Sequence, residues 1–74
     1  MNKKRRTELW NISKEINGIV IKLQKVLDEE QEAFDNMPEG LQASSRGIDS
    51  ESAIDNITDI ISDLESISSD LLGV

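Results

Sequence analysis

Apolar residues recur at intervals of three and four along two long segments of the chain. The first stripe covers about three positions in seven and consists of Leu9, Ile12, Ile16, Ile19, Val20, Leu23, Val26, Leu27 and Phe34. The second, which Ser68 interrupts, consists of Ala53, Ile54, Ile57, Ile60, Ile61, Leu64, Ile67, Leu71 and Val74. Such spacing is typical of amphipathic helices, whereas apolar residues alternate in strands. The pattern therefore predicts an all-α protein with two long helices.

The segment between the two stripes predicts a reversal of the chain. Pro38 cannot continue a helix, and Gly40 allows backbone angles that other residues avoid. Pro38 can also open one short turn of helix that runs through Leu41. We expect a single helical-hairpin domain over residues 1–74. Helix 1 should span about residues 3–35, the turn about 36–45 and helix 2 about 46–72.

The charged residues form a gradient along the chain. Eight Lys and Arg stand against 15 Asp and Glu, which gives a net charge of −7. Residues 1–27 carry +5, residues 28–47 carry −5 and residues 48–74 carry −7. An antiparallel hairpin lowers the electrostatic energy, because it places the basic first helix beside the acidic second helix.

A hairpin of this size has more apolar surface than it can hide. The chain has 74 residues and no Cys or His, so neither disulfides nor zinc can supplement a marginal core. We expect the row from Leu9 through Ile12, Ile16, Ile19 and Leu23 to Val26 to face the other helix. An uncovered flank should then remain on each helix. It consists of Val20, Leu27 and Phe34 in helix 1 and of Ala53, Ile60, Ile67 and Val74 in helix 2. Exposed flanks predict a homo-oligomer, a dimer or larger, that closes into a bundle with both stripes in its core.

The composition leaves little room for catalysis. The chain has no His, Cys or Tyr, the residues that most often serve as acid–base catalysts or nucleophiles. We therefore expect a non-catalytic protein with no cofactor and no bound metal. No apolar run approaches the roughly 20 residues that span a bilayer, so a cytoplasmic location without membrane contact is expected.

One stretch of the chain resembles a known group of proteins. Residues 29–56, which read EEQEAFDNMPEGLQASSRGIDSESAIDN, are similar to the central part of small uncharacterised helical-hairpin proteins of phages and prophages of Gram-positive bacteria. In those proteins an acidic end of helix 1 runs into an AFDN-P-LQ turn, followed by Ser, Arg-Gly and an AID-containing helix. The resemblance implies a phage-like origin and a bacterial cytoplasm, and it assigns no chemistry.

Residues near the start of helix 2 suggest a binding site for phosphate. Helix N-termini carry free N–H groups and partial positive charge, and hydroxyls with an arginine can complete a phosphate cradle. The candidate residues are Asn36, Ser44, Ser45, Arg46 and Gly47. Small helical oligomers from phages sequester nucleotide immune signals, and by analogy we expect an anti-defence role in which two turns of an oligomer hold one nucleotide. Alternatively, a serine caps the helix and Arg46 pairs with a nearby acid.

Two further interpretations remain open. Asp55, Asp59 and Asp63 form an acidic row, which a DNA mimic or inhibitor would use to block a basic host defence protein. The chain could also be a purely structural coiled-coil module. Direct nucleic-acid binding is weakly supported, since the cations at residues 3–6 precede an acidic body with only two aromatic residues.

Overall fold

The computed structural model describes all residues 1–74, and every regular element is a helix. Helix α1 runs Lys3–Asp35, α2 runs Glu39–Gln42 and α3 runs Ser45–Leu72. Helix α1 packs along α3 as a hairpin, and α2 packs against α3 within the connection. The predicted all-α hairpin is confirmed. None of the helices combines the length and the apolar character needed to cross a membrane.

Local hydrogen bonds explain where α1 begins and ends. The Asn2 side chain accepts a hydrogen bond from the Arg5 N–H at 2.9 Å, which caps the first turn. At the other end the Asn36 N–H donates to the Glu32 carbonyl at 3.0 Å. The short helix α2 then makes the reversal, so Gly40 lies within a helix and no residue has a positive φ. The expectation that Gly40 supplies unusual backbone angles is therefore wrong.

The residues through which α1 and α3 contact each other recur at alternating intervals of three and four positions. We call this contact the seam. Every residue in it is buried or half-buried. In α1 the seam consists of Leu9, Ser13, Ile16, Val20, Leu23, Leu27, Glu30 and Phe34. In α3 it consists of Gly47, Ser50, Ile54, Ile57, Ile61, Leu64, Ser68 and Leu71. This periodicity is that of an antiparallel coiled coil.

The seam contains a polar layer near the open end of the hairpin. Ser13 and Ser68 are only 1% and 3% exposed. Each hydroxyl has one proton, and one consistent assignment has Ser13 donating to Ser68 Oγ at 2.6 Å and Ser68 donating to Asn17 Oδ1 at 2.8 Å. Because an unpaired hydroxyl is costly to bury, these bonds hold the two helices at one level relative to each other.

A second polar layer lies near the turn. The Ser50 hydroxyl of α3 donates to Glu30 Oε1 of α1 at 2.6 Å, where apolar side chains would otherwise meet. Nearby, Gln42 Nε2 donates to the Phe34 carbonyl at 3.0 Å and ties α2 to the end of α1. Together these bonds fix the connection to both long helices.

The polar layers show that the expected facing row of helix 1 is wrong. Ile12, Ile19 and Val26 are 44–49% exposed, whereas Val20 and Leu27 are half-buried in the seam. Phe34 is half-buried there as well. An apolar stripe three positions wide offers two rows that could face α3. Ser13 and Glu30 belong to the observed row, and their bonds to α3 select it.

The hairpin is a rod with almost no enclosed core. Its extents are 58 × 14 × 11 Å and its radius of gyration is 17.0 Å, against about 11 Å for a compact domain of this length. Ile61, at 6% exposure, is the only buried hydrophobic residue. The structure of one chain therefore leaves most of its apolar side chains in partial contact with water.

Candidate interaction surfaces

The residues that the seam leaves uncovered form two rows spaced by seven. The row of α1 contains Ile12, Ile19, Val26 and Ala33, and the row of α3 contains Ala53, Ile60, Ile67 and Val74. The six larger side chains are each 44–52% exposed. We call the two rows together the apolar face.

Both rows lie on the same side of the hairpin. In both helices each residue of the row comes one position before a seam residue whose next seam neighbour is three positions further on. The two rows therefore occupy the same heptad position. Two antiparallel helices are related by a two-fold axis normal to their common plane, and such an axis keeps equivalent positions on one side. The rows therefore merge into one continuous surface along the rod.

The opposite side of the hairpin is mainly polar. Its α1 positions hold Trp10, Asn17, Gln24 and Gln31, and its α3 positions hold Glu51, Thr58, Glu65 and Leu72. A shallow groove at the open end brings Trp10 and Leu72 together with Asn17 and Lys14. This groove joins equivalent positions of both helices, which agrees with the placement of the apolar face on the other side.

The proposed phosphate residues lie at the start of α3, with one exception. Ser44 is the N-cap residue, and Ser45 and Arg46 are exposed in the first turn. The Ser44 hydroxyl donates back to the Leu41 carbonyl and makes no capping bond to α3. Asn36 is separate from them, at the C-cap of α1.

Gly47 has a packing role that the sequence alone did not reveal. It is buried, and a Cβ atom built on it overlaps the backbone C and O atoms of Gln42. The glycine is thus required for the close approach of α2 to α3. Its burial leaves Ser45 and Arg46 as the accessible part of the proposed cradle.

The acidic row lies on the exposed surface of α3. Asp55, Asp59 and Asp63 are all exposed. Asp59 and Asp63 lie on the outer side of α3, whereas Asp55 borders a shallow groove that Gln31 and Phe34 of α1 also line. No lysine of α1 lines this groove, and Asp59 and Asp63 lie on the side of α3 away from α1, so the lysines of α1 do not neutralise the row within the hairpin. No group of three or more carboxylates is arranged to hold a metal ion.

Charge is divided unequally between the two ends of the rod. The open half, residues 1–18 and 59–74, carries five cations and six acids, for a net charge of −1. The turn half, residues 19–58, carries three cations and nine acids, for a net charge of −6. The exposed cations Lys3, Lys4, Arg5 and Arg6 lie at the open end.

Sequence reasoning missed the polar residues of the seam. Ser13, Glu30 and Ser50 of the seam, with Asn17 beside it, make the hydrogen bonds between α1 and α3, and Ser68 is the partner of Ser13 and Asn17. The one available signal was Ser68, which interrupts an apolar row and therefore needs a polar partner.

Comparison with protein-family models, with curated proteins and with solved structures finds no match to this chain. The surfaces described above are consequently the basis for any functional assignment.

Proposed function

We propose that this protein is a non-catalytic binding protein that works as a homo-oligomer assembled through the apolar face. The observation that carries the proposal is the continuous apolar surface along one side of the rod, with Ile19 at 49% and Ile60 at 48% exposure near its centre. Large exposed apolar patches on small proteins mark interaction sites. A chain without His, Cys or Tyr offers few groups for catalysis.

The chain supplies a matched pair of variants for testing assembly. Ile19 lies in the apolar face, whereas Ile21 lies outside it at 71% exposure on the same helix. Ile19→Lys should raise the dissociation constant of the oligomer roughly 30-fold, or about 2 kcal/mol, because each copy loses apolar burial and gains a buried charge. Ile21→Lys should leave the dissociation constant nearly unchanged.

Sedimentation equilibrium over a wide range of concentrations measures both effects. The wild-type chain and Ile21→Lys should sediment above 8.3 kDa, the mass of one chain. A wild-type protein that remains at 8.3 kDa at all concentrations would contradict the proposal. Equal association of Ile19→Lys and the wild type would show that another surface is used.

A second candidate function is capture of a phosphate-bearing nucleotide, in keeping with a phage-type anti-defence role in the bacterial cytoplasm. It is favoured by the exposed Arg46 and by the first turn of α3, which lacks a side-chain cap. Calorimetry with cyclic dinucleotides and with inorganic phosphate tests it. Arg46→Ala should remove the heat of binding, and Lys25→Ala, which removes an exposed cation elsewhere, should preserve it. No heat with wild-type protein would reject this function.

The acidic row supports a third candidate, inhibition of a basic host protein. Asp55, Asp59 and Asp63 are all exposed along α3. Replacing all three by Asn should abolish salt-sensitive capture of such a target, since screening weakens exposed charge pairs. Capture that survives the triple substitution would exclude the row as the contact surface.

A further inference from the structure

We propose that the occupant of the apolar face is a second copy of this chain, docked with its turn at the opposite end of the bundle. In this dimer the two turns lie far apart, so they do not hold one nucleotide between them, in contrast to the expectation from the sequence. The inference rests on the proposed function and specifies its interface. Helix α1 packs on the partner's α1 and α3 packs on the partner's α3, with each pair antiparallel. A single two-fold axis crosses the apolar face near Ile19 and Ile60.

Ile19 of α1 and Ile60 of α3 lie at nearly the same height along the rod, so one two-fold axis can pass close to both. Ser13 and Ser68 are level, because their hydroxyls meet across the seam. Ile19 lies six residues beyond Ser13 in α1, and Ile60 lies eight residues before Ser68 in α3. At 1.5 Å per residue the two isoleucines differ in level by only about 3 Å.

The rows are complementary to themselves when they are reversed about these centres. About Ile19, the α1 row sets Ile12 against Val26 of the partner subunit. Continuing outward by seven residues, it sets Arg5 against Ala33 of the partner subunit, where a small side chain leaves room for the guanidinium.

The α3 row reverses in the same way about Ile60. It sets Ala53 against Ile67 of the partner subunit, so that a small side chain meets a large one. Turns at the same end would instead stack Ile12 on the partner's Ile67 and Val26 on the partner's Ala53. In that arrangement two large side chains would meet at the open end, and the smaller pair near the turn would fill less of the interface.

The charges of the two ends favour the same arrangement. If both turns lay at one end, two halves of net charge −6 would face each other. With the turns at opposite ends, each half of charge −6 meets a half of charge −1. Electrostatic repulsion between the two copies is therefore lower when the turns lie at opposite ends, and the difference between the two arrangements is largest in low salt.

The two ends of helix α1 are opposite in charge, so they match the ends of a reversed copy of the helix. Its first turn contains no acid and its last turn no base, so each terminus lacks the charge that its helix dipole favours. Reversal about Ile19 brings the four cations of residues 3–6 level with residues 32–35 of the partner subunit, which include two acids, and Arg5 is the cation in line with the apolar face. The same reversal places Glu15 beside Lys22 of the partner subunit and Glu8 beside Glu29 of the partner subunit, one attractive and one repulsive pair, so the complementarity is confined to the helix ends.

The size of the face suits a second copy of this chain. The rod is 58 Å long and 14 Å wide, and the product of these dimensions is about 800 Å², close to the area that one partner contributes to a standard interface. A copy of equal length covers the apolar face from end to end.

Cysteine cross-linking tests the arrangement, because the natural chain has no cysteine. Under mild oxidation Ile19→Cys should form disulfide-linked dimers with itself, and Ile60→Cys should do the same. An equimolar mixture of Ile19→Cys with a mass-tagged Ile60→Cys should give no more mixed product than a mixture with Ile21→Cys, the exposed control. Predominant mixed product between positions 19 and 60 would place the turns at one end and overturn the inference.

A distance measurement separates this inference from the proposed function. Spin labels on Glu39→Cys, at the turn, should lie near the 58 Å length of the rod from each other in the dimer. A distance below about 25 Å, roughly two helix diameters, would overturn the arrangement while leaving self-assembly intact. Absence of dipolar coupling together with sedimentation at 8.3 kDa would overturn both. A particle heavier than two chains would overturn the two-copy arrangement alone.

Discussion

Ser13 of α1 and Ser68 of α3 face each other across the seam with their hydroxyl oxygens 2.6 Å apart. Each also lies within hydrogen-bonding distance of the other's backbone carbonyl, at 3.0 and 3.1 Å. A shift of either helix by one residue would bury hydroxyls without these partners. The pair therefore specifies which row of α1 packs on α3 and, as a consequence, which row is left on the apolar face.

The two serines should be energetically coupled. We expect Ser13→Ala and Ser68→Ala each to lower the free energy of unfolding by roughly 1 kcal/mol, since each leaves a buried hydroxyl with fewer partners. The double variant should lose less than the sum of the single losses, by at least about 0.5 kcal/mol. Urea unfolding followed by circular dichroism, at one fixed protein concentration, measures the cycle.

An exposed serine provides the control for this cycle. Ser69→Ala removes a hydroxyl that lies outside the seam, and it should change the free energy of unfolding by less than about 0.5 kcal/mol. Strict additivity of the Ser13 and Ser68 effects would show that their contact does not hold the register.

Two glycines in long helices should respond in opposite directions to alanine. A Cβ at Gly18 meets nothing within 4 Å, so Gly18→Ala should stabilise the protein by about 1 kcal/mol through helix propensity. A Cβ at Gly47 overlaps the Gln42 backbone, so Gly47→Ala should destabilise the protein by about 1–3 kcal/mol. Thermal unfolding of the two variants checks the signs, and a stabilising Gly47→Ala would contradict the described packing of α2 on α3.

Trp10 should be insensitive to assembly. It is 44% exposed and lies on the side of the hairpin opposite the apolar face. We expect its emission maximum and its quenching by iodide to be the same in associated wild-type protein and in dissociated Ile19→Lys. An emission that shifts to shorter wavelength with concentration, in parallel with the sedimenting mass, would indicate that the polar side is the interface.

Arg5 should affect helix stability and assembly with opposite signs. Arg5→Glu would place an acid three residues after the Asn2 cap, which favours helix α1 by about 0.5 kcal/mol. In the reversed dimer the same change sets a carboxylate beside the acidic end of the partner's α1, so self-association should weaken several-fold. Sedimentation in low salt measures the second effect.

Lys25→Glu is the matched control for Arg5→Glu, because it makes the same charge change on the outer side of α1. It should weaken association less than Arg5→Glu does. Tighter association of Arg5→Glu than of the wild type would rule out contact between the basic start and the acidic end of α1.

The sequence predicts both long helices and their reversal, because apolar periodicity, Pro38 and the capping residue Asn2 act over a few residues. It also identifies the uncovered row of α3 that contains Ile60 and Ile67, since that row stands beside a well-marked row containing Ile54 and Ile61. These features require no knowledge of what lies across the contact.

Only the tertiary structure decided which row of α1 packs on α3. Rows through Ile12 and Ile19 or through Val20 and Leu27 are almost equally apolar, so burial alone cannot distinguish them. The choice depends on polar groups that meet across the seam, Ser13 with Ser68 and Glu30 with Ser50, and a hydrogen bond forms only when both partners are in place. For the same reason the close contact of Gly47 with Gln42 depends on the packing of α2 against α3, which the sequence alone does not specify.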